Sequence, residues 1–216
     1  MADEHNAEGS TPPPAPGGAS EPVKPPAEAP QAAAPNPVAH AAPKPPAPMA
    51  ATPWEGELPS QIKERFPDDV TACSSYLGQN FVAAKPDAVI PLLEFLKLEA
   101  DFDYLVDITA VDYPNRAERF ELVYILYSFP RNERVRVKTA IADGAEPPTA
   151  VHLHTGANWL EREVFDMFGI QFAGHPDMRR ILLPEEWQGF PLRKEMSIIQ
   201  QDDRWVRENL GIESGH

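Results

Sequence analysis

The chain has 216 residues, enough for one ordinary domain or two small ones, and a formal net charge of −14. With 19 basic against 33 acidic residues there is no basic stripe to hold nucleic acid. One cysteine, Cys73, excludes an intramolecular disulfide framework, a four-cysteine zinc site and a cysteine-ligated iron–sulfur cluster within the chain. The longest apolar runs, such as 122–129, fall short of the roughly 18–20 residues a membrane helix needs. The first residues carry neither a basic n-region nor an apolar h-region, so no signal peptide is expected, and a soluble cytoplasmic protein is the default.

Proline accounts for 26 residues, and 14 of them lie in residues 1–50. Residues 1–52 are Ala/Pro-rich with almost no large apolar side chains. Such a segment cannot bury enough surface to offset its ordering entropy, and it is expected to be a disordered, extended tail. A solvated tether accounts for it; a recognition arm is the alternative. Residues 51–216 keep 28 acids and 17 bases, so the folded part is acidic by itself.

The folded body is expected over 53–169. Ser60 can cap a short helix with Ile62 and Phe66 on one face. Two short strands follow, near Val70–Ser75 and Asn80–Ala84, split at Gly78. Val89, Leu92, Leu93 and Leu96 then repeat at helical spacing over Asp87–Lys97, and Pro91 is tolerated if Asp87 is the N-cap. Phe102, Tyr104, Val106, Ile108 and Ala110 alternate with Asp103, Leu105, Asp107 and Thr109 as a strand. Phe120–Tyr127 is apolar at nearly every position, and Val135, Val137, Thr139 and Ile141 alternate again after a turn at Pro130-Arg131-Asn132. The fold class is therefore α+β, a mixed sheet with helices packed on one face.

Residues 158–169 read as a helix. Asn158 with Glu161 three positions on forms a capping-box-like start, Leu160, Val164 and Phe168 make one face, and Gly169 is the stop. Residues 170–216 lose periodicity while keeping Phe172, Ile181, Leu182, Leu183, Trp187 and Phe190. Large apolar side chains on an irregular segment predict that it lies on another protein's surface.

Chemistry-bearing motifs are few. Neither G-x-G-x-x-G, a P-loop nor G-x-S-x-G is present. His152 and His154, if on one strand face, could join Glu161 or Glu163 as a two-His carboxylate metal site; surface histidines are the ordinary explanation. Glu161 and Glu163 lie two apart and point to different helix faces, so they cannot work as a paired acid and base. With Asp166 they are expected to cap and to pair with Arg162, Arg179 or Arg180. His175-Pro176-Asp177 with Arg179-Arg180 suits a small anion or proton-relay site, while Arg193-Lys194 near Trp187 and Phe190 suits a partner interface, the favoured reading.

The stretch Glu161-Arg162-Glu163-Val164-Phe165-Asp166-Met167-Phe168-Gly169-Ile170, followed by His175, Arg179-Arg180-Ile181-Leu182 and Pro191-Leu192-Arg193-Lys194-Glu195, resembles the 30-kDa-type subunit of NADH:quinone oxidoreductase (respiratory complex I). The family signature maps onto Glu161, Arg162, Glu163, Asp166, His175, Arg179 and Leu182, and the likeness runs from about Asp69 to Glu195. The resemblance implies a non-catalytic subunit of the peripheral arm, on the cytoplasmic side of the inner membrane, packed against the 49-kDa-type subunit. It implies no cofactor and no metal in this chain; flavin and iron–sulfur clusters would sit in partner subunits and pass electrons from NADH to a quinone, coupled to proton translocation. Arg179, Arg180, Trp187, Phe190, Leu192, Arg193 and Lys194 would form the partner interface. The alternatives are the equivalent subunit of a related membrane-bound hydrogenase or other donor dehydrogenase, and a free-standing His/carboxylate metalloenzyme.

Overall fold

A computed structural model describes residues 50–196, 207–208 and 211. The expected tail over 1–52 falls almost wholly outside these residues, as does the end of the expected interface segment. The elements in chain order are β1 (Thr52–Pro53), α1 (Glu57–Arg65), β2 (Val70–Tyr76), β3 (Gln79–Ala84), a 3₁₀ turn (Pro86–Ala88), α2 (Val89–Leu98), β4 (Tyr104–Asp112), β5 (Phe120–Ser128), β6 (Glu133–Ile141) and α3 (Ala157–Phe168).

The six strands form one sheet in the order β1-β2-β3-β6-β5-β4. Hairpin-joined neighbours run antiparallel, and β3 and β6 run parallel, which makes the sheet mixed. The fold is α+β. The β2–β3 turn places Leu77 (φ 51°) and Gly78 (φ 74°) in the left-handed region, the geometry a two-residue hairpin loop needs to follow the strand twist.

One face of the sheet carries the core. Phe120, Leu122, Tyr124 and Leu126 of β5 and Val135, Val137 and Ile141 of β6 meet Ile62 of α1, Leu92, Leu93 and Leu96 of α2, and Val164 and Phe168 of α3. The helical spacing of the α2 leucines thus does what its period predicts. Pro91 is the third residue of α2, inside the first turn, where no intrahelical donor is lost.

Three local expectations are corrected. Gly56, not Ser60, stands at the N-cap of α1; Ser60 is one turn in and its hydroxyl donates to the Gly56 carbonyl at 2.8 Å. Asp87 makes no side-chain cap, because the 3₁₀ turn delays the start of α2 to Val89. The β4 alternation breaks at Val106: Leu105 pairs with Leu126 but Asp107 pairs with Ile125, a bulge that turns Tyr104 and Val106 outward while Ile108 and Ala110 stay in the core.

Core burial should dominate stability here. Leu96→Ala is expected to cost about 2–5 kcal/mol, whereas Leu98→Ala, on a side chain 67% exposed, should stay within about 0.5 kcal/mol. Urea unfolding of the two variants checks the contrast.

Candidate functional site

Helix α3 carries three buried charged side chains: Glu161 and Asp166 at 0% exposure and Arg162 at 6%. Each engages chain outside the helix, and together they organise residues 147–196.

Asp166 accepts from three consecutive backbone N–H groups, with Oδ2 at 3.1 Å from Ile181, 2.8 Å from Leu182 and 2.9 Å from Leu183. Its Oδ1 takes the Arg180 guanidinium at 2.7 Å. Burial pushes this carboxyl up, but the amides of Leu183, Leu182 and Ile181 and the Arg180 cation together hold it below the ordinary carboxylate range. Arg162 works on the same segment from the donor side: its Nε donates to the Arg179 carbonyl at 3.1 Å, and its guanidinium lies over the Trp159 ring.

The C-terminal end of α3 is closed by the chain that follows it. Gly169 takes the left-handed conformation (φ 77°), and its N–H donates to the Phe165 carbonyl at 2.8 Å. The Leu192 N–H donates to the Met167 carbonyl, and Arg193 Nε to the Phe168 carbonyl at 2.6 Å. The carbonyls left free by the helix end are thus taken up, and the Arg180 and Arg193 cations lie at the negative end of the helix dipole. A Cβ on Gly169 would sit 2.5 Å from the Phe190 ring, so glycine is required by both backbone and contact. Phe190 packs edge-on against Phe165, with Arg180 and Arg193 over its ring.

Asp112, at the end of β4, holds the segment a second time. It accepts two hydrogen bonds from Arg119 at 2.8 Å and one from the Lys194 N–H at 2.8 Å. The Arg119 contact, against the opposing effect of burial, keeps this carboxyl low, with the Lys194 amide helping. Arg119 also pairs with Glu195, and Arg193 makes a two-point pair with Asp143 at 3.0 Å.

Glu161 points the other way. It accepts from the Thr149 hydroxyl at 2.6 Å and the Ala150 N–H at 2.7 Å, which pins the loop entering α3. Burial raises its carboxyl to about 7 despite those two donors, and its charge adds to the burial that raises the Tyr124 phenol. His175 lies alongside with its side chain fully enclosed, Nε2 4.0 Å from Glu161 Oε2. The Asp177 N–H donates to His175 Nδ1 at 3.0 Å, so Nε2 carries the ring proton and donates to the Asn158 carbonyl at 3.2 Å.

The capping box is therefore corrected: α3 begins at Ala157 after Gly156, and Glu161 reaches the Thr149–Ala150 loop, not the helix start. The strand carrying His152 and His154 is corrected too. They lie in a turn, His152 exposed and His154 buried, and Glu161 is already committed to Thr149 and Ala150. Burial first, then the Lys97 charge, lowers the His154 imidazole, with Asp103 opposing. Among the described residues no group of three or more His, Cys, Asp or Glu side chains is arranged to hold a metal ion.

The structure buries the side chains of Glu161, Arg162, Asp166 and His175, sets His175 beside Glu161 with Asp166 facing a different segment, and leaves Glu163, Arg179 and Leu182 exposed. Of the expected interface residues, Arg180 and Arg193 make their pairs within the chain, Trp187 and Phe190 are half-buried, and Leu192 and Lys194 are exposed. Residues 170–196 thus pack on their own domain. Sequence reading gives no role to Asp112, Arg119, Asp143 or Thr149. One signal is there for Asp112: it falls in phase with the inward-facing Ile108 and Ala110, and an acid in phase with a core face needs a partner.

The respiratory-chain NADH dehydrogenase 30 Kd subunit family matches residues 82–202, a span that contains every residue of this arrangement. The chain belongs to that family. Among its relatives are the C subunits of NADH-quinone oxidoreductase from Hyphomonas neptunium (43% identical over 144 residues, 66% of this chain and 71% of the relative) and from Roseobacter denitrificans (51% over 141 residues, 64% and 71%). Among solved structures, a chain of the membrane-bound sulfane sulfur reductase, an archaeal respiratory membrane complex, is similar with a TM-score of 0.59 and 27% identity, covering 74% of this chain and 92% of that one. This 30 Kd family member is thus a subunit of complex I type.

Two buried carboxyls of opposite tendency give opposite pH behaviour. Asp166 has a lowered pKa, so its stabilisation is present above the unfolded value near 4 and is lost as pH falls through the folded value. Glu161 is raised to about 7, so it favours the fold below the unfolded value and this advantage is lost between about 4.5 and 7. Denaturant unfolding should show Asp166→Ala destabilised by roughly 3–5 kcal/mol at neutral pH. Glu161→Gln should flatten the stability decline of the parent chain across that pH window.

Proposed function

We propose that the chain is a cofactor-free architectural subunit in the peripheral arm of a proton-translocating NADH:quinone oxidoreductase. It packs against the 49-kDa-type subunit on the cytoplasmic side of the inner membrane. Partner subunits hold the flavin and iron–sulfur clusters that carry electrons from NADH to the quinone. Relatives at 43% and 51% identity, named as the C subunit of that oxidoreductase, support the reading.

The observation that carries it is the Asp166 nest. Three amides and a guanidinium on one buried carboxylate fix residues 180–183, and this turns Leu182 outward at 61% exposure. Trp159, 62% exposed, is a second apolar side chain held outward, with Arg162 over its ring. Apolar and cationic side chains held rigidly at a surface lose little entropy on docking and serve as interface anchors. Leu192 and Lys194 are exposed further along the same returning segment. No helix among the described residues is long and apolar enough to cross a membrane.

A second reading has its own support. The likeness to the sulfane sulfur reductase chain covers 92% of that chain, which fits the same module serving a related respiratory complex with another electron donor or acceptor, such as a membrane-bound hydrogenase.

Purification of the tagged chain from gently solubilised membranes separates the two. A large complex with NADH:quinone reductase activity is expected. Recovery with a different redox activity favours the second reading, and elution as a lone chain contradicts both. In the same preparation, Leu182→Asp should reduce co-purifying subunits by about tenfold while changing the stability of the chain by no more than about 0.5 kcal/mol.

A further inference from the structure

We propose that the outer face of the sheet, opposite the helices, docks an acidic segment of a neighbouring protein subunit. This surface is separate from the one formed by α3 and the segment after it.

Strand β6 lies inside the sheet, between β3 and β5. Its inward positions, Val135, Val137, Thr139 and Ile141, are buried in the core. Its outward positions are Arg134, Arg136 and Lys138, three cations in a row on the opposite face. Lys138 is neutralised in place: its ammonium pairs with Glu121 at 2.9 Å and lies over the Phe81 ring. The guanidinium groups of Arg134 and Arg136 have neither an ion-pair nor a hydrogen-bond partner among the described residues. Two unpaired cations two residues apart on an interior strand of an acidic protein are a local inversion of charge.

Register sets what surrounds them. Arg136 stands between Phe81 of β3 and Ile125 of β5, and Arg134 is opposite Tyr127. Val123, opposite Lys138, is buried. A shallow depression of about 240 Å³ beside the two arginines is lined by Gln79, Asn80, Asn132 and Glu133. The face therefore combines apolar ground with two guanidinium forks, the combination that receives carboxylates carried on a partly apolar segment.

Charge complementarity selects the occupant. A membrane surface or a nucleic acid presents an extended array of negative charge, and a chain of net charge −14, with Asp107 on this same face and Glu133 beside the arginines, repels such an array. A short acidic segment of a protein can engage the two adjacent guanidinium groups without spanning the acids around them.

The test places a photo-cross-linking p-benzoylphenylalanine at Ile125 in the full chain, irradiates the native membrane complex, and identifies the attached peptide by mass spectrometry. An adduct with a net-negative segment of another subunit is expected. Arg134→Glu with Arg136→Glu should lower its yield by about tenfold, and changing the acids of that segment to Lys should restore it. Arg134→Gln with Arg136→Gln, which removes charge without reversing it, should give an intermediate yield and guards against misfolding of the double-Glu variant. Recovery of the intact complex with no protein adduct would overturn the inference while leaving the family reading of the chain's role standing. Adducts with lipid or nucleic acid alone, with a basic peptide, or with a yield indifferent to both arginine variants would overturn it as well.

Discussion

The Asp166 carboxylate receives three successive backbone amides and one guanidinium while fully buried, and the shape of everything after α3 depends on that arrangement. A buried carboxylate is costly unless its lone pairs are filled, so the charge and the path of residues 180–183 require each other. Remove the acid and three amides lose their acceptor. Remove the turn and a charge is left bare in the interior. Arg162 adds to the constraint by donating to the carbonyl of Arg179, two residues before the first nested amide.

The sheet supplies the fixed frame for this. Asp112 at the end of β4 and Asp143 just beyond β6 receive Arg119, Arg193 and the Lys194 amide, so the returning segment is tied to the sheet as well as to the helix. Glu161 ties the loop before α3, and the ring of its neighbour His175 is held in place by the Asp177 amide and the Asn158 carbonyl. The result is an irregular segment held without regular secondary structure, which presents side chains such as Leu182 at fixed positions.

Periodicity makes the regular part legible. The α2 leucines, the β5 apolar run and the β6 alternation each report burial against a neighbouring layer, and burial is what a pattern of apolar residues encodes. Gly169 is legible as a helix stop for a local reason, its freedom at positive φ. The bulge at Val106 is not, because an inserted residue leaves the apolar alternation of the strand looking intact until its partner's register is known. Glu161 misleads for a related reason: its spacing from Asn158 fits a capping box, but Thr149 and Ala150, twelve and eleven residues away, offer better-placed donors in the folded chain. The segment over 170–196 is irregular, as its lost period says, and its apolar side chains do need a surface. That its own domain supplies much of this surface depends on long-range pairs, such as Lys194 with Asp112 across 82 positions, that no local pattern contains.

Amide hydrogen exchange read at single-residue resolution tests the Asp166 constraint most directly. In the parent chain the amides of Ile181, Leu182 and Leu183 should exchange slowly for a segment without secondary structure. In Asp166→Asn they should lose that protection while the amides of β5 and β6 keep theirs. Exchange of all three at the rate of an unstructured peptide in the parent chain, or unchanged protection in the variant, would contradict the account.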